Sequence, residues 1–374
     1  MFDNINYLSK DMFQKRTNAG LDWLKTSIDQ CNGAGSAAYY SRLYKPLRGW
    51  SSAYPETTGY IIETLFDYYH LNGDTSLNDY AIKCAEWICG LQMQNGALPA
   101  GLHSANPSYP SVFNTGQMIF GLVRTFEETQ DERFKDVFEQ AVNWLLSSLE
   151  KDGSWQVGSY KSNYIPSYYT RVVWSVLMAS KYLSIDNLEE RMRAALQFYS
   201  NKILDNQSVE DWSFQKGQPA FTHTIAYTIR GFLESALLLE DEEMMEIVVN
   251  LSEKILTLRE LKGALAGWYS QDWKGNYKFI CLTGNCQLSI ILSKLYRLKN
   301  DIRYQNVALK IFGDIVFKQK LSGSKNTRGA IAGSYPVWGR YLFMRYPNWA
   351  TKFFLDAYYV LNENHEYSKA KYLK

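Results

Sequence analysis

The stretch Asn114-Thr115-Gly116-Gln117-Met118-Ile119-Phe120-Gly121-Leu122-Val123 decides the fold. Small and polar residues open it, and an apolar run with no polar face follows. A helix of that character has to be buried on all sides. The same opening recurs at Thr57-Thr58-Gly59-Tyr60, Tyr169-Thr170-Arg171, Thr222-His223-Thr224 and Leu282-Thr283-Gly284-Asn285. Anchored on Thr58, Thr115, Thr170, Thr224 and Thr283, the steps are 57, 55, 54 and 59 residues. Asn348-Trp349-Ala350-Thr351 supplies a sixth copy after a longer loop. A second kind of helix, amphipathic and marked by Trp23, Trp87, Trp144 and Phe198, alternates with the first.

Self-similarity at a fixed period is the signature of a repeat architecture. Six units, each an outer amphipathic helix, a loop and an inner buried helix, predict an all-α (α/α)6 toroid of six helical hairpins. A length of 374 residues would ordinarily suggest two or three domains. The repeat assigns residues 1–374 to a single toroid domain, with repeats beginning near residue 18. An aromatic share of 15% suits a large core and an aromatic-lined cavity.

Charge is nearly balanced, 40 Lys and Arg against 38 Asp and Glu, which gives no overall electrostatic footprint for duplex nucleic acid. No window approaches the roughly 18 apolar residues of a membrane span. Met1-Phe2-Asp3-Asn4 does not begin a basic-then-apolar secretory leader. Five cysteines, an odd number, make no disulfide framework, and Cys84/Cys89 and Cys281/Cys286 miss the CxxC spacing. HExxH, the P-loop signature and GxGxxG are missing, so neither metal nor cofactor is expected. A reduced, cytoplasmic protein fits these features.

Connections are asymmetric. Inner-to-outer turns such as Leu71-Asn72-Gly73-Asp74 and Glu128-Thr129-Gln130-Asp131 are short. The opposite loops run to about twenty residues or more, beyond the usual helix connection, and carry Trp, Tyr and Gly. Long loops on one face usually carry binding. That face also presents the inner-helix N-termini, whose free N–H groups favour anions.

Residues four and seven apart share a helix face, so Glu56, Tyr60 and Glu63 form one stripe and His223, Tyr227 and Arg230 another. Asn114, Gln117, Tyr169, Arg171, Asn285, Gln287, Trp349 and Lys352 stand at the same level of the other inner helices. Polar groups recurring there predict a polar pocket, since they are costly in an apolar core. Catalytic roles fall to Glu56, His223, Tyr227, Arg171 and Asn114. Tyr60, Gln117, Tyr169, Asn285, Trp349 and Lys352 are expected to bind substrate.

On the loops, Trp50, Trp212 and Trp268 offer faces for sugar stacking, and Asp272 stands beside Trp273. Arg42, Arg48, Arg328, Arg340 and Arg345 fall in the first and sixth loops, neighbours in a closed ring, where Arg340 suits an anionic ligand. Purely structural readings stand beside these. Thr58, Thr115 and Thr283 read as helix caps, Gly59, Gly116 and Gly284 as points of close packing, and Glu63 with Arg230 as a charge pair. The acidic run Glu240–Glu243 reads as solvated surface.

Lys151-Asp152-Gly153-Ser154-Trp155 resembles the aromatic repeat motif of triterpene cyclases, but the DxDD acid of those enzymes is missing. Tyr54-Pro55-Glu56-Thr57-Thr58-Gly59-Tyr60, Thr222-His223-Thr224-Ile225-Ala226-Tyr227, Ser334-Tyr335-Pro336-Val337-Trp338-Gly339-Arg340-Tyr341 and Tyr346-Pro347-Asn348-Trp349-Ala350-Thr351-Lys352-Phe353 resemble a family of bacterial and archaeal toroid proteins. The resemblance runs over nearly the whole chain. It implies a six-hairpin glycosidase-like toroid and a surface-polysaccharide biosynthesis setting, and its members are often described as hypothetical or terpene-cyclase-like. It supplies no reaction.

The expected partner is a glycan or oligosaccharide carrying uronate, with neither nucleic acid nor membrane. The leading chemistry is proton abstraction at C5, giving elimination or epimerisation, with His223 or a tyrosine as base and Arg171 and Asn114 on the carboxylate. Glycoside hydrolysis is an alternative, pairing Glu56 with Asp211 or Asp272 across the bond. A non-catalytic glycan-binding protein is another.

Overall fold

The short turns explain where the helices start and stop. Gly73, Gln130 and Asn300 adopt left-handed φ values of 73, 55 and 53° and end one helix each. The next residue in each case, Asp74, Asp131 or Asp301, caps the following helix by accepting the N–H of Ser76, Arg133 or Arg303 at 3.0, 3.0 and 2.9 Å. Asp241 accepts from Met244 in the same manner. It also pairs with Arg193 at 2.8 Å, so the acidic run is partly structural rather than merely solvated.

The computed structural model describes residues 6–104, 109–159 and 163–372; Met1–Asn4 lie outside them. Twelve α-helices occur among the described residues. The outer ones are α1 (Lys10–Asp29), α3 (Thr75–Cys89), α5 (Glu132–Ser147), α7 (Leu188–Ser200), α9 (Glu242–Lys262) and α11 (Ile302–Val316). The inner ones are α2 (Pro55–Asn72), α4 (Val112–Thr129), α6 (Thr170–Ser180), α8 (Thr222–Leu238), α10 (Leu282–Lys299) and α12 (Asn348–Tyr372). Inner helices pack in the cyclic order α2, α4, α6, α8, α10, α12, and α12 returns to α2. Outer helices α3, α5, α7, α9 and α11 each pack on the inner helix before them, whereas α1 packs on α12 and closes the ring with the two chain ends. The result is an (α/α)6 toroid.

Inner helices touch backbone to backbone. A Cβ on Gly59 would stand 2.5 Å from Met118 Cα of α4, and one on Gly284 would stand 2.4 Å from the His223 backbone N of α8. Of the three threonines expected to cap, Thr58 and Thr115 have a different role, and the Thr283 hydroxyl has no partner among the described residues. Thr58 and Thr115 lie a turn inside their helices, where their hydroxyl oxygens accept the N–H of Ser36 and Leu98 at 3.0 Å each. Thr351 accepts the N–H of Ile331 at 3.1 Å. Every donor belongs to the long loop entering that helix, so these threonines latch loop to ring. The cap of α4 is Ser111, whose hydroxyl accepts the Asn114 N–H.

Short antiparallel ladders stitch the loops together. β1 (Tyr39–Ser41) pairs with β2 (Gly49–Trp50) and with β7 (Arg345–Pro347), fastening the first long loop, residues 30–54, to the sixth, 317–347. β3 (Ala220–Phe221) pairs with β4 (Trp268–Tyr269), and β5 (Ile280–Cys281) with β6 (Ser334–Tyr335). Below the loops, Arg230 pairs with Glu234 of its own helix at 3.2 Å, not with Glu63. No described helix is long and apolar enough to cross a membrane, and all five cysteines are free.

The Gly59 contact makes a measurable claim. Gly59→Ala should lower stability by about 1–3 kcal/mol through overpacking, read from urea denaturation. An unchanged midpoint would mean that the helices can part there without cost.

Candidate active site

Pro55 starts α2 and places Glu56 in the first turn, where Pro has no N–H to lose and a carboxylate meets the helix dipole. The Tyr54 phenol donates a short hydrogen bond to Glu56 Oε2. Trp349 stands edge-on to Tyr54 at 6.1 Å, and its indole N–H donates to Tyr341 Oη at 2.8 Å. The Tyr341 ring meets His223 at 5.2 Å, and His223 packs on Tyr227 at 4.2 Å. Tyr227 donates to Tyr60 Oη at 3.4 Å, and Tyr60 packs on Phe353 at 5.4 Å. Side chains from α2, α8, α12 and the sixth loop thus share one aromatic wall, bounded on another side by Phe113 of α4, 5.7 Å from Tyr227.

Arg171 of α6 forms the floor and is 1% exposed. Its guanidinium lies 4.5 Å from the Tyr227 ring centre, 5.0 Å from Trp174 and 5.3 Å from Phe120. Its Nε donates to Gln117 Oε1 at 2.8 Å, and no carboxylate pairs with it among the described residues. The Nη1 group has no protein partner there. Gln117 Nε2, Gln287 Oε1 and both amide atoms of Asn285 are likewise buried without one. Each unmet buried polar group costs about 1–3 kcal/mol. Such groups gathered on the first two turns of three inner helices mark a polar interior where water or a ligand would satisfy them.

Electrostatics separate the titrating groups. Burial pushes the Glu56 carboxyl up to about 7, against the opposing pull of the Tyr54 hydrogen bond and of Arg171. Burial, reinforced by Arg171, holds His223 well below its usual value. The Gln287 amide fixes the ring: its Nε2 faces the Thr283 carbonyl at 3.3 Å, so it donates to His223 Nδ1 at 3.0 Å. His223 is therefore a neutral imidazole protonated at Nε2 near pH 7. Burial raises Tyr227 and Tyr60, so both phenols keep their protons.

The structure brings Glu56, Tyr60, Gln117, Arg171, His223, Tyr227, Asn285 and Trp349 around the top of the ring axis. Other sequence candidates fall elsewhere. Trp212 is 2% exposed and pinned edge-on to Trp273 at 5.3 Å, so it offers no face to a sugar. Asp272 is exposed and paired with Lys274 at 2.6 Å, which holds its carboxyl down to about 2. Asp211 is held by Lys202 at 3.1 Å. Each aspartate is thus already engaged by a lysine.

Asn114 is engaged with Ser111 and with the Pro99 carbonyl, anchoring its own loop instead of facing a reaction. Tyr169 is buried flat against Phe113 at 5.9 Å. Lys352 lies deeper, bound to Asp356 and 5.5 Å from the Tyr60 ring. Trp50 is a loop joint, its ring 5.3 Å from Trp23 and its N–H 3.4 Å from Asn326 Oδ1. Trp268 is half-buried and packs against the Phe279, Cys281 and Tyr341 cluster, whereas Arg340 is exposed at the rim. Tyr54 and Tyr341 were not foreseen as site residues. Tyr54 had a signal, being two residues before Glu56 at a helix start, whereas Tyr341 reaches the site only through the folding of its loop.

No family model matches the chain, and no curated protein sequence matches it. Solved structures share its fold. An unsaturated glucuronyl hydrolase specific for heparin superposes with a TM-score of 0.74 at 14% identity, over 96% of this chain and 99% of that one. The unsaturated glucuronyl hydrolase of Bacillus sp. GL1, responsible for glycosaminoglycan degradation, gives 0.72 at 14% identity over 93% and 96%. A cellobiose 2-epimerase from Bacillus thermoamylovorans B4167 gives 0.69 at 11% identity over 94% and 99%. The chain therefore has the six-hairpin, glycosidase-like toroid fold found in glycan-acting enzymes.

The Glu56 shift has a thermodynamic consequence. In the unfolded chain this carboxyl loses its proton near 4.5, and in the folded chain only near 7. Between those values the unfolded state binds fewer protons, so stability falls as pH rises. The difference is about 3 kcal/mol. Glu56→Gln should lack this fall, so that denaturant midpoints of variant and parent diverge in the variant's favour from acid towards neutral pH. Parallel pH profiles would show that Glu56 is not the group so shifted.

Proposed function

We propose that the protein is a carbohydrate-active hydrolase that removes a 4,5-unsaturated uronyl residue from an anionic oligosaccharide. One observation carries this reading: the buried carboxyl of Glu56, pushed up to about 7, shares the first turns of the inner helices with a buried arginine that has an unmet N–H. Hydrolysis by two flanking carboxylates needs a second acid, and Asp211 and Asp272 are each tied to a lysine. An unsaturated uronate is an enol ether and needs only one proton donor. Glu56 gives its proton to C4, leaving an oxocarbenium ion at C5. Water adds at C5 and returns a proton to Glu56. The resulting hemiketal opens to a C5 ketone, which leaves a hemiacetal at C1, and that hemiacetal collapses to an aldehyde as the second sugar leaves with its hydroxyl restored.

Arg171 Nη1 offers an N–H seat for the uronate carboxylate, desolvated where such a contact is strong. Neutral Tyr227 and Tyr60 can donate to ring oxygens. The unsaturated glucuronyl hydrolases with this fold supply the substrate class by analogy. Proton abstraction at C5 is the second reading, favoured by the place of His223 on the cavity wall. It fits less well because burial makes that imidazole a weak base. The same proposal takes residues 1–374 as one toroid domain, working in a reducing cytoplasm on surface polysaccharide.

An unsaturated uronyl disaccharide should lose its conjugated ultraviolet band and release the second sugar. Glu56→Gln should lower kcat by roughly 10^2–10^4 with little change in KM, whereas Arg171→Met should act mainly on KM. Deuterium appearing at C5 of a saturated uronate in heavy water, without release, would establish epimerase chemistry instead. Activity that survives Glu56→Gln but is lost in His223→Ala would sink the carboxyl-acid mechanism.

A further inference from the structure

The near-neutral total charge hides a segregated one. Residues 30–54 contain Arg42, Lys45 and Arg48 and no acid. Residues 317–347 contain Lys318, Lys320, Lys325, Arg328, Arg340 and Arg345 and no acid. These two loops thus carry +9, and since the whole chain carries +2, the remainder sums to −7. The loops are not merely close: β1 runs antiparallel to β7 with Ser41 opposite Arg345, and the Arg42 N–H donates to the Met344 carbonyl at 2.9 Å. Among the described residues no ion pair engages Arg42, Arg48, Arg328 or Arg340.

Aromatic rings are interleaved with this charge. Tyr44, Trp338 and Phe343 are 76, 65 and 51% exposed on the same two loops. Lys318 lies over the face of exposed Tyr335 at 4.0 Å. The surface also continues into the cavity. Arg340 is the neighbour of Tyr341, whose ring touches His223 and whose hydroxyl holds Trp349 beside Tyr54.

We infer that the first and sixth loops form an extended binding track for a polyanionic glycan, so that the substrate is a polymer engaged by its end and not a disaccharide. This rests on the uronate-substrate reading above. A chain end seated over Arg171 leaves the cavity past Tyr341 and runs along a strip where every charge is positive and flat rings are free to stack on sugars. The acidic remainder of the molecule repels the same chain elsewhere and orients its approach.

The test measures binding alone, with the full-length Glu56→Gln protein, so that a failure of the hydrolase reading leaves it readable. Polygalacturonate should bind more tightly than digalacturonate, and only the polymer's advantage should fade with added salt. A Lys45→Ser/Arg48→Ser double variant, checked for an unchanged thermal midpoint, should lose roughly three- to tenfold in polymer affinity and little for the dimer. Equal affinity for the two lengths, or a double variant indistinguishable from its parent, would overturn the track. So would retention on phosphatidylglycerol vesicles with no retention of polygalacturonate, which would assign the strip to a membrane surface.

Discussion

Backbone contact between inner helices sets the scale of everything inside the ring. At Gly59 and Gly284 no side chain separates one helix from the next, because a single Cβ would come within 2.5 Å and 2.4 Å of neighbouring backbone. Six inner helices held that close leave an axis narrow enough to fill with side chains. The first turns, where helices carry unmet N–H groups, are then forced to face one another. A looser ring would admit bulk water, and burial would no longer dominate the Glu56 carboxyl.

That burial decides the chemistry can be seen from the competition at Glu56. A guanidinium in the same cavity and a phenol donating to the carboxylate both favour the charged form, yet the carboxyl ends up near 7. Desolvation outweighs them because the Glu56 carboxyl is buried, while Arg171 makes no ion pair with it and turns its Nε to Gln117. The same low-dielectric setting acts in the opposite direction on His223, a base by nature, and keeps it uncharged. One environment thus keeps a share of the carboxyl protonated and the imidazole neutral at neutral pH.

The architecture was legible because helix burial leaves a period in the chain. An inner helix buried all round and an outer helix buried on one side cannot be confused, and a left-handed residue followed by aspartate marks four of the five short turns. Within the site, the residues of the inner first turns were legible for the same reason: Glu56, Arg171, His223 and Tyr227 lie within three residues of the repeat mark. Loop residues were not. Trp212 and Asp272 looked available because nothing in their neighbourhood reveals that Trp273 or Lys274 claims them, although Lys274 is only two residues on. The threonines misled for a subtler reason. A hydroxyl near a helix start suits a cap, and only the return of a distant loop N–H shows that it is a latch.

The strap between β1 and β7 joins the first repeat to the last on the same face as the cavity. On the ring itself the first and last units meet through α1 and α12, so the chain's two ends are clasped twice, by helices and by loops. The cavity lies between those clasps, with Glu56 on one side of the seam and Trp349 on the other. Whatever occupies the cavity therefore bridges the beginning and the end of the polypeptide. A ligand bound there would act as a third clasp between the first and last repeats and stabilise the closed ring by mass action.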